Sequence, residues 1–120
     1  MGLMRVWVTL GPVEGRRRVR VRALVDTGAT FSVVPAAVAE KAGLRAAGSF
    51  RVELADGTLR KLPVATAVFR LDGRRAPATV LVSPRGEPLL GVETLEVLGL
   101  TVDPRHRRLK ALKPFAIKAA

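Results

Sequence analysis

The sequence predicts a mainly β domain with one or two short helices. Apolar residues alternate with polar ones over most of the 120 residues, and Gly-Pro and Asp-Gly pairs punctuate that alternation. Only two short stretches change to a helical period.

Val6, Val8 and Leu10 alternate with polar or edge positions, within a short stretch that also holds Arg5 and Trp7. After the turn from Gly11-Pro12 to Gly15, the series Val19, Val21, Ala23 and Val25 resumes the period of two, so the two segments read as a hairpin. The next stretch changes period. Pro35 suits the first helical position, residues 36–42 are rich in helix formers, and Gly43 supplies a left-handed cap. Phe50, Val52 and Leu54 then alternate up to Ala55-Asp56-Gly57-Thr58, and Leu59 with the run 62–71 continues as strand. Asp-Gly between such runs is a strong hairpin signal. A second hairpin is expected at Asp72-Gly73, returning through Ala78, Val80 and Val82, before a loop over 84–88. Leu89-Leu90-Gly91 follows, and 92–98 reads as a two-turn helix with Leu95 and Leu98 inward. Residues 100–112 hold an Asp103-Pro104 turn between two short apolar runs, and 114–120 read as a loose tail. No repeat or linker divides the chain, so 1–120 is expected to be a single domain.

Composition narrows the chemistry. There is no cysteine and one histidine, His106, so thiolate chemistry and His-rich zinc sites are excluded and a Ser-His-Asp triad is disfavoured. Carboxylates and hydroxyls remain as catalytic candidates. Nowhere do about 18 apolar residues run together, and the beginning of the chain lacks an apolar signal core, so a soluble, cytoplasmic protein without membrane contact is expected. The formal charge of +11 makes nucleic acid a candidate partner. It is not the favoured one. Arg16-Arg17-Arg18 and the run Arg105-His106-Arg107-Arg108 flank turns and alternate with Val19, Val21 and Leu109, as solvated strand faces do, and the aromatic residues are not interleaved with them.

The best clue to function is Asp26-Thr27-Gly28. It is entered through Ala23-Leu24-Val25, which reads as the end of a buried strand, and left through Ala29. Gly28 tolerates backbone angles that a Cβ resists, so the turn is expected to aim the Asp26 carboxylate in a fixed direction.

The order of these parts resembles the retroviral-type (retropepsin-like) aspartic proteases: apolar strand, Asp26-Thr27-Gly28-Ala29, short helix, a central glycine-bearing hairpin, then Leu89-Leu90-Gly91 before a final helix. The resemblance covers about 19–112. It implies a closed β-barrel protomer that contributes one aspartate to a site shared across the two-fold axis of a homodimer. Asp-Thr-Gly occurs once, and Asp56-Gly57 and Asp72-Gly73 lack the Thr between, so the second carboxylate is expected from Asp26 of an identical chain.

The implied activity is aspartic endopeptidase action on peptide or protein substrates. One Asp26 takes a proton from water as the other protonates the peptide carbonyl, and no metal or organic cofactor is needed. By the same resemblance, Thr27 hydrogen-bonds across the dimer axis and Gly28 lets the backbone approach the carboxylates. Ala29 lacks the hydroxyl that Ser or Thr supplies in pepsin-like relatives, which predicts a less acidic optimum; a pH-rate profile peaking in the strongly acidic range contradicts this. Ala55, Asp56, Gly57 and Thr58 are the implied substrate-binding flap. Leu89, Leu90 and Gly91 are the implied second loop, packed behind the active turn and helping to line the pocket. Apolar residues around the cleft suggest a preference for apolar side chains next to the cut.

Two positions depart from the retroviral pattern. An Asp and an Arg that commonly pair to brace the dimer are replaced by Thr30 and Val92. A catalytically silent dimeric or peptide-binding module on the same fold is the alternative reading, and a basic nucleic-acid-binding β module a weaker one.

Overall fold

The computed structural model describes residues 3–54 and 56–112. The expected tail at 114–120 and Ala55 of the candidate flap lie outside the described residues. Among the described residues no helix is long and apolar enough to cross a membrane.

The alternation at the start of the chain forms the expected hairpin. Strand β1 (Arg5–Gly11) pairs antiparallel with β2 (Val19–Val25), from Arg5 opposite Leu24 to Leu10 opposite Val19. Val8, Leu10 and Ala23 point into the core, whereas Trp7 lies outside beneath the Arg20 guanidinium, 4.2 Å from its ring centre. Residues 26–31 then lead to β3 (Ser32–Pro35), which the sequence reading omitted. Its four residues have no neighbour in sequence to pair with. They lie parallel to β6 and antiparallel to β7, and short apolar runs of this kind carry no period of their own.

Helix α1 (Ala36–Lys41) follows directly, with Pro35 as its N-cap and last strand residue rather than its first helical residue. Strand β4 (Ser49–Glu53) turns back into β5 (Leu59–Leu71), whose length gives it two roles. Its first residues pair with β4, and the remainder pairs with β6 (Arg74–Ser83). The β5–β6 turn carries φ of 51° at Asp72 and 75° at Gly73, the double positive φ that makes Asp-Gly the favoured two-residue hairpin turn. Strand β7 (Leu89–Leu90), helix α2 (Val92–Val97) and the hairpin of β8 (Leu100–Asp103) with β9 (Arg108–Ala111) complete the chain.

The strands run in the order β1-β2-β7-β3-β6-β5-β4, and an additional β1–β5 pairing, Thr9 opposite Arg70, joins the ends into a closed ring of six with β4 attached outside it. The ring removes the free edges that such short strands would otherwise expose. It encloses Val8, Leu10, Val34, Phe69, Val80 and Leu90, each at most 2% exposed. Leu95 of α2 with Leu98 at its C-cap, and Ala39 of α1 with Ala42 at its C-cap, close the core, as the helical spacing predicts for Leu95 and Leu98.

Candidate active site

The central feature is the insertion of β7 between β2 and β3. The chain leaves β2, turns over the end of β7 through residues 26–31, and returns as β3 on the other side of β7. The turn and the strand end before it are tied down at several points. Asp26 N–H donates to the Leu90 carbonyl at 2.9 Å, Val25 N–H to Met4, and Leu24 N–H to Pro88. Ala29 N–H closes the turn on the Asp26 carbonyl at 3.2 Å. Behind it, the carbonyls of Ala29 and Thr30 accept from Val92 and Glu93 N–H at 2.8 and 2.9 Å, satisfying donors that the first turn of α2 leaves open.

These bonds place the sequence-derived residues as follows. Asp26 is half-buried, and its Oδ1 accepts from Gly28 N–H at 2.9 Å, which fixes the carboxylate's direction. Gly28 is needed for a different reason from the one the sequence suggested. Its φ is not in the left-handed region; instead a Cβ there would lie 3.3 Å from Asp26 Oδ1, against the carboxylate it orients. Thr27 and Gly28 are exposed and Ala29 half-buried. The expected buried strand end is buried only at Ala23; Leu24 and Val25 are half-buried in the single chain.

Leu90 and Gly91 are buried directly behind the turn, while Leu89 keeps partial exposure. A Cβ on Gly91 would fall 2.5 Å from the Phe31 carbonyl carbon and 2.9 Å from the Ala29 oxygen, so the two backbones cross with no room for a side chain. Gly91 N–H donates to Ser32 Oγ at 3.1 Å, and that hydroxyl is in turn bonded to Thr94 Oγ1. Ser32 and Thr94 are fully buried and were not singled out from the sequence, where a Ser in an apolar run and a Thr in a helix carry no distinguishing mark. At the positions of the absent ion pair, Thr30 and Val92 belong to segments joined by main-chain bonds.

The candidate flap is a hairpin whose tip is held by its own polar groups. Leu54 N–H donates to the Thr58 carbonyl, Gly57 N–H to the Leu54 carbonyl, and both the hydroxyl and the N–H of Thr58 donate to Asp56 Oδ1, at 2.6 and 2.9 Å. The Thr58 hydroxyl first, then its N–H, hold the Asp56 carboxyl below its usual value. At the base of the hairpin, Phe50 packs against Phe31, ring centres 5.6 Å apart, linking it to the loop that carries Asp26. On the other side, Arg5 grips Glu87 with Nε and Nη2, each at 3.0 Å, and joins the start of β1 to the 84–88 loop. That bidentate bond holds the Glu87 carboxyl below its usual range.

The basic runs lie elsewhere. Arg16, Arg17 and Arg18 occupy the β1–β2 connection, at the opposite end of the hairpin from Asp26, where Arg16 and Arg17 border a cavity of about 890 Å³. Arg105, Arg107 and Arg108 sit on the β8–β9 hairpin, where His106 Nδ1 and Arg108 approach Asp103. Among the described residues no group of three His, Cys, Asp or Glu side chains could hold a metal ion.

A closed ring of strands with one constrained aspartate in the turn between two of them agrees with the fold of the aspartic proteases. The family model described as aspartyl protease matches residues 10–106, and the chain belongs to that family. It is a hydrolase, an aspartic endopeptidase of retropepsin-like fold. Among solved structures, it is similar to the EIAV protease complexed with the inhibitor HBY-793, with a TM-score of 0.68 and 20% identity over 82% of this chain and 89% of that one. The protease of simian foamy virus (mac) gives a TM-score of 0.56 and 25% identity over 78% of this chain and 92% of that one. The foamy viral protease-reverse transcriptase in complex with an RNA/DNA hybrid gives 0.58 and 19% over 78% of this chain and 12% of that much longer one. No curated protein sequence matches this chain significantly.

Proposed function

We propose that the chain acts as a homodimeric aspartic endopeptidase in which Asp26 of each protomer flanks one water molecule. The observation that carries this reading is the turn itself. Its carboxylate is fixed by Gly28 N–H, its backbone is anchored to Leu90, and Thr27 and Gly28 are left exposed for a symmetric neighbour. The chain has a single Asp-Thr-Gly, so one protomer supplies half of the pair.

The chemistry follows from bringing two such carboxylates together. Like charges a few ångström apart cannot both ionise cheaply, so the pair shares one proton. The ionised Asp26 takes a proton from the water, whose oxygen attacks the peptide carbonyl; the protonated Asp26 donates to the carbonyl oxygen as it becomes tetrahedral. The hairpin over 54–58 closes on an extended substrate, binding its backbone and excluding water, while Leu89 lines the floor.

Asp26→Asn tests the assignment. It is expected to lower peptide hydrolysis by roughly a thousandfold or more, because it removes both acid and base, while thermal unfolding stays unchanged. Hydrolysis that survives the substitution contradicts the mechanism.

A further inference from the structure

We propose that the cavity between the candidate flap and the 84–88 loop is a subsite for an acidic substrate side chain, glutamate before aspartate, held by Arg60 and Arg85. The inference rests on the reading of the chain as a dimeric endopeptidase with that hairpin as its flap.

The pairing register locates Arg60. Residues opposite one another in an antiparallel pair share a face, as do alternate residues along a strand. Phe50 lies opposite Leu62, and Val52 opposite Arg60. Phe50, Val52, Leu62 and Arg60 therefore form one row, continued toward the tip by Leu54. The contact of Phe50 with Phe31, five residues after Asp26, shows that this row faces the active-turn side. The opposite face carries Arg51, Glu53 and Lys61 together with Leu59, all exposed. Arg60, itself exposed, is thus the one charged residue in a row whose other members are apolar up to the polar tip at Thr58.

Arg60 also borders a cavity of about 280 Å³ lined by Leu54, Arg60, Leu62, Ser83, Pro84 and Arg85. Leu54, Leu62 and Pro84 make apolar walls, and two guanidinium groups stand among them with no carboxylate. Ser83 donates its hydroxyl proton to the Arg85 carbonyl at 2.9 Å, with the Val34 carbonyl a more distant acceptor at 3.4 Å, fixing the loop rather than the ligand. The ion pairs among the described residues join Arg5 to Glu87 and Asp103 to His106 and Arg108, so neither Arg60 nor Arg85 has a carboxylate within 4.0 Å. Asp56 at the tip feels the charge of Arg60, but its Thr58 bonds act on it more strongly.

Apolar walls with convergent cations suit a side chain that has methylenes below a carboxylate. Glutamate fills the walls and gains charge-assisted bonds; glutamine gains only the walls, and lysine is repelled. This goes beyond an apolar preference at the cut.

The test compares matched peptides that differ only by Glu, Gln or Lys at each position around the scissile bond, cleaved by the full chain. At one position the Glu peptide is expected to exceed the Gln peptide on the order of tenfold in kcat/KM. The ratio should fall as salt rises, drop toward unity in Arg60→Gln and Arg85→Gln, and turn in favour of Lys in the double variant Arg60→Glu, Arg85→Glu. A wild-type ratio near unity at every position overturns the inference, as does one insensitive to salt or retained in both Gln variants. Absence of any Asp26-dependent cleavage overturns the endopeptidase reading beneath it instead.

Discussion

Asp26 draws its direction from its nearest neighbours, and the two glycines around it act differently. Gly91 lies where two backbones cross, so the Cβ of Gly91→Ala would meet carbonyl atoms at 2.5, 2.6 and 2.9 Å that no rotamer change can move. We expect that variant to lose about 3 kcal/mol of stability, the upper end of an overpacked core, read from its urea midpoint. Gly28→Ala meets only Asp26 Oδ1, at 3.3 Å, and should keep the midpoint while lowering kcat. An unchanged midpoint for Gly91→Ala, or unchanged turnover for Gly28→Ala, contradicts these assignments. The Asp-Thr-Gly-Ala motif and Leu89-Leu90-Gly91 were visible in the sequence because each is a local string. The Ser32 and Thr94 hydroxyls were not, because they meet across 62 residues and look ordinary where each stands.

At the scale of elements, the hairpins could be read from the sequence and the strands that complete the ring could not. Hairpin partners are neighbours in sequence and announce themselves by alternation and by Asp-Gly turns. Strands β3 and β7 are four and two residues long and pair only with distant strands, so no alternation or turn signal marks them as strands, even where the Leu89-Leu90-Gly91 string itself is visible. The tip of the candidate flap shows local chemistry at work. The Asp56 carboxyl is held below its ordinary value of about 3.9 by Thr58, so its contribution to tip order is complete above that value. It is lost as pH falls through the lowered folded-state value. Thr58→Val removes the hydroxyl, the largest cause, and should raise the Asp56 midpoint toward the ordinary range in a carboxyl NMR titration. A midpoint that does not move would show that the tip is held by other contacts.

For the whole molecule, the ring of strands closes a single core while the turn that carries Asp26 stays at its surface. The β1–β5 pairing closes the sheet, β7 threads beneath the active turn, and α2 is hung from the turn's carbonyls, so the position of Asp26 is set by the entire ring. The turn nevertheless faces outward, with Thr27 and Gly28 exposed and with Leu24 and Val25 only half-buried. In the proposed homodimer a second copy covers that face and supplies the second carboxylate. Where the retroviral bracing pair would stand, the chain has Thr30 and Val92, in segments joined within the chain by main-chain bonds. Titration of the active protein with a tight-binding statine-type transition-state mimic tests the proposed homodimer most directly. The account predicts that activity ends at one inhibitor per two chains; an endpoint of one inhibitor per chain would contradict a site shared between two Asp26 carboxylates.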